Sequence, residues 1–220
     1  MIDKLTGKAK CLNDLLNKNG DSFVQKLLAN FEGKSEFNIE IVSKNIVTNK
    51  DEKGNEYEVN GKTSYTPILG NTLITIEIST TRTDTHSALE AARTILHEYI
   101  HADLIRKEYT GSKVPGERAI DFKIAYNAYE NQHGVMASLY ITSMKEALKA
   151  FHKMVLTDDY NKYTNHFGEV PSDAFYEAMA WNGLKENDVK AWNDLTANQK
   201  ATIEKLANRG NLLSKIVPCP

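Results

Sequence analysis

Thr94-Ile95-Leu96-His97-Glu98-Tyr99-Ile100-His101-Ala102-Asp103 contains the pattern His-Glu-x-x-His. On an α-helix, residues four apart stand on one face a turn apart, so the imidazoles of His97 and His101 can reach one metal ion. Zinc takes neutral imidazole nitrogens at about 2.0–2.1 Å and, where it is catalytic, keeps one position for water. Glu98, one residue after the first histidine, projects beside such an ion and is placed to take that water's proton. The chemistry this implies is metal-assisted hydrolysis of the metallopeptidase kind.

A bare four-letter pattern also arises by chance, and its surroundings decide. Ala88, Ala92, Ile95, Leu96, Tyr99, Ile100 and Leu104 recur at helical spacing, which predicts an amphipathic helix whose buried side lies next to the histidines. Ser87 with Glu90 three residues later reads as a capping box, a physical start signal. The bland alternative is two histidines on a solvated or packed helix face.

The chain has 220 residues, enough for one domain with a full core, and no stretch reads as a linker. We expect a single domain over 1–220, with helices and sheet in 1–80 and the motif helix plus a helical remainder in 81–220. A formal charge of −2 with interspersed signs carries no footprint of a nucleic-acid binder. No run approaches the eighteen or so apolar residues of a membrane span, and Met1–Lys8 lacks the apolar core of a secretory signal. The expected chain is soluble, either cytoplasmic or an excised module of a larger exported protein, with its oligomeric state left open. Two readings stand for Cys11 and Cys219: unpaired thiols, or one bridge closing a very long loop. Neither has zinc-ligand spacing to the histidines.

The period of apolar residues sets the remaining elements. Ala9 to Phe31 reads as two helices interrupted at Asn19-Gly20-Asp21, and Phe37 to Val47 as strand. Asn49–Asn55 supplies a turn; Tyr57–Val59 and Ser64–Thr66 read as short strands around Asn60-Gly61, a hairpin candidate. Thr72–Ser79 is the clearest strand, leading toward the motif helix. It is either an ordinary structural strand or a sheet-edge strand that borders the cleft and pairs with an extended substrate. Helix is predicted from Ala119 to Tyr129, bending near Gln132-His133-Gly134, then as one long helix from Met136 to Phe151. Thr157–Pro171 reads as irregular. Three more helices follow, starting at Ser172 or Asp173, at Asn187 or Asp188, and at Thr196 or Asn198. The expected class is α+β: a small mixed or antiparallel sheet packed on the motif helix, then a mostly helical C-terminal half.

A catalytic zinc wants a third protein ligand. Candidates are His133, Glu130 and Glu177, of which His133, a neutral imidazole beside Gly134, suits zinc best. Glu177, Asp173 or Glu130 are candidates to accept the second ring N–H of a ligand histidine. An oxyanion donor is drawn from Tyr140, Tyr163, His166 and His86, while His152 reads as structural.

His97-Glu98-Tyr99-Ile100-His101, entered through Thr-Ile-Leu and followed by Ala102, together with His133-Gly134, resembles the SprT-like zinc metallopeptidases of the zincin group. The likeness covers about residues 70 to 150, and the segment between its two parts is longer than the short family form. It implies a zincin-like fold, a zinc cofactor on His97, His101 and His133, and hydrolysis of peptide or protein substrates with Glu98 as general base and a zinc-held water as nucleophile. A fainter similarity, in Lys8–Cys11 and Tyr176–Trp181, is to C-terminal modules of larger bacterial surface or phage-like proteins. Two other functions fit the same residues: a zinc-stabilised binding module without activity, and an effector or toxin peptidase module of a larger secreted bacterial protein.

Overall fold

Phe37, Ile39 and Ile41, and likewise Ile74, Ile76 and Ile78, alternate with more polar neighbours, so each stretch has one apolar face at the period a strand presents. The computed structural model describes residues 1–31, 37–51, 53–68, 71–110, 132–185 and 189–219. These form two compact units, Met1–Asp103 with Ser214–Pro220, and Leu104–Leu213.

The first unit holds, in chain order, β1 (Ile2–Lys4), α1 (Gly7–Asn19), α2 (Ser22–Ala29), β2 (Phe37–Lys44), β3 (Val47–Lys50), β4 (Glu56–Val59), β5 (Gly61–Ile68), β6 (Asn71–Ser79), α3 (Thr80–Thr85) and most of α4 (Ala88–Thr110). The main sheet is mixed, in the order β1-β2-β6-β5. β1–β2 and β2–β6 are parallel, and β5–β6 is antiparallel. The parallel β1–β2 pair needs a crossover, which α1 and α2 supply. Register sets Ile39 opposite Ile74 and Ile41 opposite Ile76. With Ile78 these side chains are fully buried, each contributing about 1.5–3 kcal/mol of burial free energy. The break between α1 and α2 falls where expected, and Asp21 caps α2 by accepting from the N–H groups of Phe23 and Val24.

One expectation about the strands is corrected, and one choice between readings is decided. Asn60-Gly61 is not a hairpin turn, because β4 pairs with β3 and β5 with β6. Gly61 already stands in the ladder opposite Ile78, while between the antiparallel β3 and β4 Asp51 Oδ1 accepts from the N–H groups of Lys53 and Asn55. Of the two readings of Thr72–Ser79, the interior structural strand is the one found. Flanked by β2 and β5, β6 has both its hydrogen-bonding edges occupied, and the edge strands of this sheet are β1 and β5.

Cys11 and Cys219 form a disulfide with Cα atoms 6.0 Å apart, joining α1 to the segment that begins at Ser214. The same segment reaches the start of α4, where the Ala88 N–H donates to the Ser214 carbonyl at 2.8 Å.

The described part of the second unit is helical beyond α4: α5 (Gln132–Leu139), α6 (Ile141–Met154), α7 (Thr157–Phe167), α8 (Asp173–Ala180), α9 (Lys190–Asn193), α10 (Ala197–Asn208) and a 3-10 turn at Arg209–Leu212. α8 packs against α6 and α10. Ser172 caps α8, and Thr196 with Gln199 forms a capping box on α10. The expected single helix from Met136 to Phe151 is two, parted at Tyr140, whose phenol is fixed by the Lys107 ammonium. The expected irregular stretch at Thr157–Pro171 contains α7. It buries Tyr163 against Phe175, ring centroids 4.9 Å apart, and ends at Gly168, whose φ of 68° is a left-handed cap. Expected helix at 119–129, Glu130, and the start at Asn187 or Asp188 lie outside the described residues. No helix among the described residues is long and apolar enough to cross a membrane.

Candidate metal centre

α4 starts where its sequence says, with Ser87 Oγ accepting from the Glu90 N–H at 3.2 Å. It departs from the expected amphipathic pattern because polar faces are buried as well: from Ala88 to Lys107 every residue except Glu90 and His101 is buried. A helix sunk on all sides places demands on its polar side chains, since each buried polar group needs a partner. Tyr99 donates to Asn13 Oδ1 at 3.0 Å, and Asn30 Nδ2 donates to Asp103 Oδ1 at 3.0 Å. Burial pushes the Tyr99 phenol up, so it stays protonated. Arg93 Nη2 donates to Thr94 Oγ1 at 3.0 Å. Burial pulls the Arg93 guanidinium below its ordinary range, and the carboxylates of Glu90 and Glu98 oppose that.

The four-residue spacing brings the two motif histidines together as geometry requires. Their Nε2 atoms lie 3.0 Å apart, with ring centroids at 4.7 Å and planes at 74°. Two imidazole lone pairs aimed at one another repel unless a proton or a cation stands between them. Tetrahedral coordination with arms of about 2.0–2.1 Å puts ligand nitrogens about 3.3 Å apart, close to this spacing. His133, in the first turn of α5, is the third member: His97, His101 and His133 each offer one ring nitrogen, and these atoms lie within 4.8 Å of one another. This donor set fits a divalent transition ion, because neutral imidazoles suit zinc, copper, iron or nickel and not the hard cations that prefer oxygen.

Comparison of the chain with family models, with curated proteins and with solved structures finds no match. The centre is therefore described by its own geometry.

Glu98 is 5% exposed, and β5 contributes two of its neighbours. Thr63 Oγ1 lies 2.8 Å from Glu98 Oε2 and 3.1 Å from the Glu98 carbonyl oxygen. A Cβ at Gly61 would sit 2.8 Å from Glu98 Cγ and 2.9 Å from Oε1, so only glycine leaves the carboxylate its space. Reading the sequence misses both residues. Gly61 follows Asn60 and reads as a turn, and the short strand read at Ser64–Thr66 begins one residue after Thr63.

The other residues named from sequence are placed as follows. Glu177 is exposed on α8, and Asp173 is engaged by Lys149 Nζ at 2.7 Å. The Lys107 ammonium sits 5.0 Å from the ring centroid of Tyr140 as well as bonding its phenol. Tyr163 accepts from Arg209 Nη1 at 2.9 Å, and His166 is exposed beside Phe167. His86 closes α3, its N–H donating to the Arg82 carbonyl. His152 is wholly buried with Nδ1 2.9 Å from the Tyr176 phenol, as a structural residue should be.

Proposed function

We propose that this protein is a zinc-dependent peptidase of the zincin kind, with His97, His101 and His133 holding the ion and Glu98 as general base. The observation that carries the reading is the convergence of three histidine nitrogens within 4.8 Å, with a buried carboxylate on the residue after the first of them. The antiparallel edge strand β5, which lines Glu98, supports it further, because an extended peptide pairs with such an edge.

A divalent ion at this centre supplies Lewis acidity, polarising a substrate carbonyl and making water a readier proton donor. Glu98 accepts the proton from the attacking water at a carboxylate oxygen as the new C–O bond forms. It then delivers that proton to the amine nitrogen as the C–N bond breaks, returning to its ionised form. His97 and His101 act in the neutral form, which is the form that donates a lone pair.

The test is metal content by mass spectrometry of the purified chain, paired with digestion of a broad peptide library before and after chelation. Stoichiometric zinc with chelator-sensitive cleavage is the expected result. Zinc without cleavage identifies a metal-stabilised binding module instead, and no bound metal overturns the proposal.

A further inference from the structure

Glu98 leaves α4 on a side chain with three rotatable bonds, and a general base works only if its oxygens are held where the proton is. Bulk water does not orient a carboxylate buried to this degree, so its neighbours must. β5 provides them in register. Gly61 and Thr63 are two apart and therefore share one face of the strand, and pairing to Ile78 and Ile76 of β6 fixes both against the sheet.

Gly61 contributes room: the position a Cβ would take lies 2.8–3.0 Å from Glu98 Cγ, Oε1 and Cδ. Thr63 contributes direction. Its hydroxyl has one proton and two oxygens of Glu98 within reach, and the carboxylate Oε2 is both the nearer, at 2.8 Å, and the charged acceptor. We propose that Thr63 is a positioning residue for Glu98, its hydroxyl anchoring Oε2 in a slot that Gly61 keeps open. This rests on the peptidase reading above, and it assigns to β5 a role in orienting the base that is separate from any pairing with substrate.

Thr63→Val keeps the shape of the side chain and deletes the donor. We expect kcat to fall roughly 10- to 100-fold, since small displacements of a catalytic group carry losses of that size, with KM and bound zinc unchanged. Thr63→Ser restores kcat, and Gly61→Ala lowers it with zinc retained. Crystal structures of Thr63→Val and Gly61→Ala give a readout independent of turnover, in which the Glu98 carboxylate is displaced. An unmoved carboxylate, an undiminished kcat in Thr63→Val, or loss of zinc and fold together in both Thr63 variants overturns the proposal. A displaced carboxylate in a protein whose wild type cleaves no peptide overturns the peptidase reading alone.

Discussion

The Nε2 atoms of His97 and His101 face each other across 3.0 Å. That spacing is comfortable only with a cation or a shared proton in the gap, so a bound ion stabilises the folded chain by its binding free energy, about 2.7 kcal/mol when free metal is a hundred times Kd. Chelation should lower the melting temperature by several degrees, and zinc should restore it. His101→Ala and His133→Ala should each cut bound zinc sharply, read by mass spectrometry after dialysis. Full zinc in His133→Ala moves the third ligand elsewhere.

Glu98→Gln preserves the volume and hydrogen-bonding reach of the side chain and removes its basicity. Zinc content should be unchanged while kcat falls roughly 10²- to 10⁴-fold, the usual contribution of a positioned general base. Single-turnover digestion of the best library peptide measures this, and near-wild-type cleavage refutes the general-base role.

The disulfide between Cys11 and Cys219 spans 208 residues of sequence. Closing so long a loop restrains the unfolded chain, and Cys11→Ser with Cys219→Ser should cost about 2–5 kcal/mol in urea unfolding. Hydrogen exchange at the Ala88 amide should accelerate in that variant, because its acceptor, the Ser214 carbonyl, is held by the same segment.

Burial pushes His152 from its ordinary value down to about 4. Between pH 6.5 and 4 the unfolded chain binds a proton there that the folded chain refuses. Stability from this group is therefore complete above pH 6.5 and falls as the pH drops, by about 3 kcal/mol once pH 4 is passed. Urea midpoints across this window should show a shallower slope in His152→Gln than in the wild type. Equal slopes remove His152 from the account.

Elements with a strong period were legible, and those defined by pairing were not. β2 and β6 announce themselves through alternating isoleucines, and α4 through its capping serine and its apolar spacing. β5 announced only its middle, Ser64–Thr66, because a strand at a sheet edge beside a polar site needs little apolar content, and its full length, Gly61–Ile68, depends on register with β6. Asn60-Gly61 carries a real turn preference that the ladder starting at Gly61 overrides. Similarly, α7 looked irregular because its buried face consists of aromatic residues that meet partners on other helices, as Tyr163 meets Phe175. The two motif histidines were readable from spacing alone. The third was readable only as a residue type, since 32 positions separate it from His101 and only the folded chain brings their nitrogens together.

The bond from Ala88 to Ser214 also constrains the order of events at the ribosome. The first unit is interrupted in sequence by the whole of Leu104–Leu213, and its remaining piece emerges only after those residues have been made. At about 5–20 residues per second, the nascent sheet and the motif helix wait several seconds or more for the strand of chain that caps the helix and bears the second cysteine. Throughout that interval Cys11 is a thiol without its mate, and the Ala88 amide lacks its acceptor from Ser214.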